Sequence, residues 1–569
     1  MKFLIALLLM CSIGMADISQ FKEAMLPSLV DGVPGILKSQ DAKTGRFGDE
    51  PWIVNDQHPM YSLAVAWATN DKANPYYHSP ELLTAIIKAG DALIAAQDKV
   101  GMFTFRKKDG STWGQIYMPW TYSRWARAYS LTRSAFSEEA RARWDKALTL
   151  AMEGIIKTDL KKPLENIPAY NATGVYCMGK LLNKPAWCAA ATKYLHRIVD
   201  AQDAGGFWTE HHGPVMNYNF VYVDALGNYY GMSHDKYVLP ALQRAAKYHA
   251  AFTYPDGTPV ETVDERNSYE HSIVSPGLGF IFSAEGRGYM QQQYLLKKSE
   301  KFGTEQAASI INYGEDGPIT PPPTAQDHGR YVMGKNDAMT AREGPWFACL
   351  SGYFCEQGKT RWIQDRQNFV SLFNDKTGLI VGGGNTKLQP LWSSFTAGDV
   401  NLLKHKKGDE DPNFFPPAGL IHVPSKIVLD PRKLSMDLTY GKALCGIQVL
   451  FSDSNSAKLI YQLKSKSDLP VEAHVTFLPH MGGKWQTASG KTGKLGEESF
   501  KLTSSEIGGW FSHHGWRVSV QDGASIVWPV LPHNQYVKDG SAKPAEGRIV
   551  LVMPLGNKPL QREIVVEIP

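Results

Sequence analysis

The stretch "GEDGPITPPPTAQD", residues 314–327, separates two parts of the chain that have different hydrophobic periods. Its three consecutive prolines, from Pro321 to Pro323, fix the backbone φ angle and lack an N–H donor, so they exclude a helix and indicate a stiff linker. The chain has 569 residues, more than the roughly 250 to 300 at which a single hydrophobic core stops growing. We therefore predict two domains, one on each side of this linker.

The part before the linker has the period of amphipathic helices. In "SPELLTAIIKAGDALIAAQ", Ser79 is suited to cap a helix and Pro80 to occupy its first position, and apolar residues follow at helical spacing. The pattern recurs after Ser137, with Trp144 on the apolar stripe. Similar segments lie near residues 118–132, 167–182, 185–202, 236–252 and 288–302. Because these helices have similar lengths and short connections, we predict helical hairpins arranged in a ring over residues 17–313.

The part after the linker alternates with a period of two. The segments "VEAHVTFL", "WRVSVQ" and "REIVVEI" each place apolar residues at every second position, and Gly, Asp, Asn and Pro separate such segments. This pattern is typical of an antiparallel sheet with one buried face. We predict an antiparallel β-sheet or sandwich domain over residues 328–569.

The N-terminus "MKFLIALLLMCSIGMADIS" has the features of a secretory signal peptide. Lys2 precedes an apolar run of about a dozen residues, and small residues such as Ala16 follow it. The run is shorter than the roughly 20 residues that span a bilayer, and we find no later segment that is long and apolar enough. We predict cleavage after residue 16 and a secreted or periplasmic protein without a membrane span.

Charge and cysteine content exclude several functional classes. The net charge is only +4, which is no basis for nucleic-acid binding. Five cysteines follow the signal peptide, an odd and dispersed set without a Cys-x-x-Cys pair, so free thiols are favoured over a disulfide framework or a zinc ribbon.

A second stretch, "GGFWTEHHGPVMNYNF" (residues 205–220), concentrates groups that can carry chemistry. His211 and His212 precede a proline-containing turn, and Tyr218 lies one helical turn before Tyr222, so both rings can face one side. Upstream, Asn171 interrupts an apolar segment and is either a structural bracket or a substrate contact.

Downstream, "VDERNSYEHS" supplies Arg266, Tyr269 and His271, either as a solvated loop or as part of the same site.

The order of these features resembles polysaccharide lyases that combine an α/α toroid with an antiparallel β-sandwich. Hyaluronate and chondroitin AC lyases form one branch, and heparinase II/III-like and alginate lyases form another. The stretch at 205–220 is similar to the Gly-x-Phe-x-x-His element, followed later by Tyr, of the first branch. It departs by one extra residue before the histidines and by the spacing from His to Tyr, which leaves His211 or His212, and Tyr218 or Tyr222, as alternatives.

The resemblance implies β-elimination on a uronic-acid polymer. A base removes the C5 proton next to the carboxylate, and the C4 oxygen then leaves, so hydrogen-bond donors or cations must stabilise the enolate. Asn171, with Arg266 or a histidine, suits that role. Tyr218 could act as both base and acid, or share the two roles with His212. The catalytic candidates are therefore Asn171, His211, His212, Tyr218 and Arg266, and no cofactor is required.

Aromatic and polar residues provide candidate sugar subsites. Trp113 and Trp120 flank a turn and are better placed to stack on sugars than Trp125, which has the helical spacing of a core residue. The full substrate-binding set is Trp113, Trp120, Arg124, Glu210, Asn217, Tyr222, Tyr269 and His271.

Two other functional classes compete with the lyase. An α/α-toroid glycoside hydrolase would use two carboxylates, for which Glu210 with Asp264 or Glu265 are candidates. A non-catalytic glycan-binding protein would need only the aromatics. The histidines near residues 328 and 513 leave a structural divalent metal open, and the sequence decides neither the polymer nor the oligomeric state.

Overall fold

The computed structural model describes residues 21–210, 213–297, 303–354, 357–365 and 367–569. These residues form two compact units. The helical unit comprises the chain up to Gln202 together with Asn217–Lys247 and Ser275–Pro321, and the β unit comprises Asp203–Met216, Tyr248–Val274 and Pro322–Pro569. The predicted signal peptide, residues 1–16, lies outside the described residues.

The predicted fold class is confirmed by the secondary structure, which is helical up to residue 313 and mainly β-strand afterwards. The helices are α1 (Phe21–Lys38), α2 (Pro59–Ala68), α3 (Pro80–Ala96), α4 (Pro119–Thr132), α5 (Glu138–Lys157), α6 (Asn166–Leu181), α7 (Pro185–Asp200), α8 (Met216–Ser233), α9 (Leu239–Ala251), α10 (Ala284–Leu296), α11 (Thr304–Tyr313) and the single turn α12 (Ser504–Ile507). Two short hairpins interrupt them, β1 (Phe103–Arg106) with β2 (Thr112–Ile116), and β3 (Thr209–Glu210) with β4 (Gly213–Pro214).

Helix contacts in the helical unit follow a ring. α6 packs against both α4 and α7, α4 packs against α2, and α11 returns to contact α1 and α2. The last helix therefore lies beside the first ones, as in the α/α toroid that the hairpin pattern predicts.

The predicted helix starts are confirmed where a cap was identified. The hydroxyl of Ser79 accepts from the Leu82 N–H, and the hydroxyl of Ser137 accepts from the Ala140 N–H. Helix α2 was not predicted, because eight of its ten residues are buried and the sequence therefore shows no alternation of apolar and polar faces. Helix α1 was not predicted either, and Pro27 and Pro34 lie inside it.

The β unit contains two large antiparallel sheets. The first has the strands β5 (His328–Met333), β6 (Ala338–Glu343), β7 (Trp346–Ser351), β8 (Val370–Asn374), β9 (Gly378–Val381), β10 (Phe395–Gly398), β11 (Leu420–Ile421), β16 (Val471–Phe477), β19 (Phe500–Thr503), β22 (Ser525–Val530) and β23 (Arg548–Gly556). The second has the strands β12 (Lys426–Asp430), β13 (Ser435–Tyr440), β14 (Ala443–Asp453), β15 (Ser456–Leu463), β17 (Lys484–Thr487), β18 (Thr492–Lys494), β20 (Trp510–His513), β21 (Trp516–Ser519) and β24 (Leu560–Glu567).

One hydrophobic core holds the two sheets together as a sandwich. It contains Trp346 and Phe477 from the first sheet and Trp516, Ile564 and Tyr461 from the second. The three segments predicted as strands from their alternation lie in β16, β21 and β24. In β16 the polar residue His474 is buried as well, because both faces of this central strand are covered.

Two segments of the helical part pack with the β unit. Asp203–Met216 and Tyr248–Val274 belong to it by their contacts, whereas the linker interpretation assigns all of residues 17–313 to the helical domain. The reason is a satellite core in which Phe207 and Tyr248 pack with Phe347, Phe373 and Met333 of the β unit. The chain passes into the last segment of the β unit between Pro321 and Pro322, inside the predicted linker.

No helix among the described residues is long and apolar enough to cross a membrane. Cys177, Cys188, Cys349 and Cys445 are free thiols, as the sequence predicts, and Cys355 lies outside the described residues.

Candidate active site

Within the stretch at 205–220, β3 and β4 form a short hairpin in the β unit, and helix α8 begins at Met216. Thr209 pairs with Pro214, and Glu210 pairs with Gly213. Gly213 lies so close to Tyr353 that a Cβ atom there would be 2.3 Å from the tyrosine ring, so only glycine fits. The candidates His211 and His212, which lie between these strands in the sequence, are outside the described residues.

Asp264 ties this hairpin to the segment that carries Arg266. One carboxylate oxygen of Asp264 accepts the Met216 N–H at 2.8 Å, directly after the hairpin. The other accepts the N–H groups of Arg266 at 2.8 Å and Asn267 at 2.7 Å. A backbone bond from Glu265 N to the Pro214 oxygen, 2.9 Å long, runs parallel to these contacts. The β3–β4 hairpin and the segment that carries Arg266 are far apart in the sequence, and these hydrogen bonds join them.

The same contacts bear on the two carboxylates, Asp264 and Glu265, that the hydrolase alternative would use. Asp264 is 2% exposed and accepts backbone N–H donors on both oxygens, and Glu265 is also buried. A general acid or base must reach the glycosidic oxygen or a water beside it. Their burial therefore disfavours Asp264 and Glu265 as partners of Glu210, and this assignment stays an untested alternative. Glu210 itself is half-buried on β3.

Arg266 lies beside an aromatic pair that the sequence analysis missed. Its guanidinium carbon is 5.1 Å from the ring centroid of Trp362, and the Trp362 and Tyr536 rings are 5.8 Å apart. The Gln535 side-chain amide donates to the Arg266 carbonyl at 2.9 Å. No local pattern links these residues, because three separate loops bring them together.

The three glycines at residues 382–384 pack against the segment 261–268, which carries Arg266. A Cβ atom at Gly384 would lie 2.7 Å from the Ser268 Cα, and the φ angle of Gly384 is +95°, so a side chain there is excluded by space and by conformation. The Gly383 N–H donates to Glu261 at 2.8 Å, and Arg548 donates to the Gly383 carbonyl. This glycine run therefore packs directly against the segment that carries Arg266.

The candidates Tyr269 and His271 lie together after Arg266. Their rings meet edge to face at 4.8 Å, and the Tyr269 hydroxyl lies 3.2 Å from the Thr258 hydroxyl. Burial raises the pKa of Tyr269, so it stays protonated. Partial burial and the positive charge of Arg548 lower the pKa of His271, which favours its neutral form, a proton acceptor.

A histidine group follows in the second sheet. The rings of His480 and His514 stack at 3.4 Å, and the His480 N–H donates to the imidazole of His513 at 3.1 Å. Burial, followed by the neighbouring imidazoles, lowers the pKa of His480 to about 3, and burial lowers the pKa of His513 to about 4. Within the described residues no group of three or more His, Cys, Asp or Glu side chains could hold a metal ion.

Asn171 is a structural bracket in the helical unit. Its side chain is 0% exposed, and its amide donates to the Tyr117 carbonyl at 3.1 Å and to Asp159 at 2.8 Å. Both amide hydrogens are used inside the unit, so none remains for a substrate carboxylate. Of the two alternatives given by the sequence, these contacts favour the bracket, and a catalytic role of Asn171 stays an untested prediction.

Arg124 is also engaged internally. Its guanidinium pairs with Glu305, donates to the Trp120 carbonyl at 3.0 Å and lies 5.7 Å from the Tyr170 ring. An arginine with these partners is not available to pair a sulfate without giving up Glu305. Trp120 itself is half-buried at the start of α4.

Trp113 is the most accessible of the sequence-derived aromatic candidates. It is 60% exposed on the β1–β2 hairpin, where the Lys107 ammonium lies 4.3 Å from its ring and Phe105 packs edge-on at 5.3 Å. An exposed indole next to a cation suits an acidic sugar, so Trp113 stays a subsite prediction. By contrast, Trp125 is buried, as the sequence predicts for a core residue.

The first turns of α8 distinguish the two tyrosines. Asn217 is exposed and Tyr218 is half-buried, whereas Tyr222, one turn later, is 2% exposed. A group that transfers protons to a polymer must be reachable, which favours Tyr218. Its catalytic role stays a prediction.

The fold of the chain is similar to that of solved polysaccharide lyase structures. No family model matches the chain, and no curated protein sequence matches it. Among solved structures, the chondroitin AC lyase of Streptomyces coelicolor A3, in complex with chondroitin sulphate, has a similar fold. Its TM-score is 0.52 at 12% identity, over 97% of this chain and 79% of that one. A second chondroitinase AC lyase structure gives 0.51 at 13% identity, over 96% of this chain and 81% of that one. At such identity the similarity shows the fold.

Proposed function

We propose that the chain is a polysaccharide lyase that cleaves a uronic-acid-containing polymer by β-elimination. The observation that carries the proposal is the Asp264 carboxylate, which joins the end of the histidine hairpin to the Arg266 segment. These bonds hold Arg266 beside the residues that follow the histidine pair in the sequence, and a cation there can stabilise an enolate intermediate. The fold shared with two chondroitin AC lyases supports the same reaction class.

In this proposal each group acts on a defined atom. Arg266 binds the uronate carboxylate and stabilises the negative charge that develops when the C5 proton leaves. His211 or His212 takes the C5 proton or assists Arg266. Tyr218, two residues after Met216, donates a proton to the departing C4 oxygen or transfers both protons.

The deciding experiment follows the double bond that elimination creates between C4 and C5 of the new non-reducing end. The purified chain is incubated with hyaluronan, chondroitin sulfate, heparan sulfate and alginate, and the ultraviolet absorbance of the conjugated product is recorded. We expect absorbance with at least one polymer, and loss of that absorbance in Arg266→Ala. Arg330→Ala is the matched control, because this arginine also lies in the β unit and donates to the backbone carbonyls of Pro431 and Arg432. New reducing ends without absorbance would show hydrolysis and refute the proposal.

A glycan-binding protein without catalysis is the remaining alternative, since the exposed aromatics suit it equally. Binding of a polymer without any cleavage would favour it.

A further inference from the structure

Trp362 and Tyr536 form an exposed aromatic pair on the β unit. Tyr536 is 65% exposed, and Trp362 is half-buried beside it, with ring centroids 5.8 Å apart at an interplanar angle of 59°. Single exposed aromatic side chains are common on protein surfaces, but two adjoining rings form a contiguous apolar face, and such faces more often mark a binding site.

Arg361 clamps the two loops that carry these rings. It precedes Trp362, and its guanidinium donates to the carbonyls of Val537, at 3.3 Å, and Lys538, which follow Tyr536. The residue before Trp362 is therefore hydrogen-bonded to the two residues after Tyr536. This charge-assisted clamp sets the separation of the rings.

The loop of Tyr536 is rigid despite its exposure. The Asn534 side chain accepts the Tyr536 N–H at 2.9 Å and donates to Glu546 at 2.6 Å. The Asn534 N–H donates to the Gly540 carbonyl at 2.9 Å, and the Gly540 N–H donates to the Val537 carbonyl at 3.0 Å. A preorganised ring binds a ligand without a large loss of conformational entropy.

Polar groups of the candidate active site border the pair. The Arg266 guanidinium lies 5.1 Å from the Trp362 ring, and the Tyr536 hydroxyl lies 3.5 Å from the Asn267 side-chain oxygen. An apolar face with a few placed polar groups is the composition of a small-ligand subsite.

We propose that Trp362 and Tyr536 form a sugar-binding subsite that stacks a pyranose ring of an acidic polysaccharide next to the sugar whose carboxylate pairs with Arg266. The inference rests on the proposed function for the nature of the ligand. Two aromatic side chains bury about 150 to 250 Å² each, well below the roughly 800 Å² per partner of a stable protein interface, so a sugar fits this surface better than a protein does.

The test measures binding and cleavage separately. Electrophoretic mobility is recorded in gels containing hyaluronan, chondroitin sulfate, heparan sulfate or alginate, and product absorbance is recorded in parallel. With the polymer that retards the wild-type chain, we expect Tyr536→Ala and Trp362→Ala to weaken binding by about 3- to 10-fold. Tyr536→Phe keeps the ring and should bind like wild type. Tyr77→Ala, which changes a 41% exposed tyrosine of the helical unit, is the matched control and should also bind like wild type.

The outcomes distinguish the subsite from the lyase reaction. Tyr536-dependent retardation without product absorbance would sustain the subsite and refute the lyase. Product absorbance with unchanged binding in Tyr536→Ala would refute the subsite alone, and absence of retardation by every polymer would also refute it. If Tyr536→Ala instead abolishes self-association in sedimentation and leaves polymer binding intact, the surface is an interface between copies of the chain and the subsite is refuted.

Discussion

Replacing Asp264 by Asn should release the histidine hairpin while leaving the Arg266 turn in place. One oxygen of Asp264 accepts two backbone N–H groups, from Arg266 and Asn267, and the other accepts the Met216 N–H. An asparagine keeps its single oxygen where two donors converge. Its amide nitrogen then faces the Met216 N–H, donor against donor. The substitution therefore removes the acceptor of the Met216 N–H, and of the longer 3.3 Å bond from the Asn267 side-chain amide, without changing the size of the side chain.

The magnitude follows from that contact. A hydrogen bond to a charged group contributes about 1.5 to 3 kcal/mol, and a buried N–H without an acceptor costs about 1 to 3 kcal/mol. Because the hairpin can relax, we expect a total of about 2 to 4 kcal/mol. One kcal/mol lowers Tm by about 2 to 4 °C in units of 150 to 250 residues, so Tm should fall by about 4 to 16 °C.

Hydrogen exchange on peptides that contain Met216 is the direct assay, with Tm as the second reading. Asp256→Asn is the matched control, because a single oxygen of Asp256 accepts both donors of Thr258, at 3.0 and 2.6 Å, and an asparagine can retain both bonds. An unchanged exchange rate of the Met216 amide would show that Asp264 does not hold the hairpin in place. If activity is lost while that amide stays protected, the carboxylate takes part in the chemistry and the hydrolase alternative returns.

Three further outcomes follow from buried polar groups. Asn171→Ala should lower the free energy of unfolding by about 1 to 3 kcal/mol, because it leaves buried acceptors unpaired, and a lost turnover at unchanged Tm would restore its role as a substrate contact. Lys387→Met should lower the free energy of unfolding by roughly 3 to 5 kcal/mol, because Asp365, 3.5 Å away and equally buried, loses its ion-pair partner. Adding Asp365→Asn should recover most of this stability. A double variant as unstable as Lys387→Met would contradict the pairing. His513 has a pKa of about 4 in the folded chain and about 6.5 when unfolded, so the unfolded state binds more protons between these values and stability falls as pH drops from 6.5 towards 4. His513→Gln should flatten the dependence of Tm on pH in that window, whereas an unchanged slope would show that other groups control it.

The fold could be predicted because its determinants are local. Helical and strand periods, the caps at Ser79 and Ser137, and the proline stretch each depend on a few neighbouring residues. Helix α2 escaped detection for a physical reason, since a helix buried on all sides has no amphipathic pattern. The assignment of Tyr248–Val274 to the β unit depends on packing with distant strands, which no local pattern encodes.

The candidate site was predicted only in part, because the sequence gives residue types without their partners. Asn171 and Arg124 have suitable chemistry, yet the structure commits the first to Tyr117 and Asp159 and the second to Glu305. The Trp362–Tyr536 pair could not be found, since its rings meet only after two distant loops have been clamped together.

The carboxylates illustrate the difference between a reactive group and a positioning group. Asp264 was a candidate for acid–base chemistry because carboxylates occur in both roles, and sequence does not record whether the oxygens face solvent or backbone N–H donors. In the structure they face donors from two segments that are far apart in the chain. Catalysis requires reacting groups to be held within about 0.5 Å of their productive positions, and loops alone are less precise than strands. A buried carboxylate that accepts from both segments supplies this precision without touching the substrate. In the proposed reaction Asp264 would therefore act as a positioning group and not as a proton-transfer group.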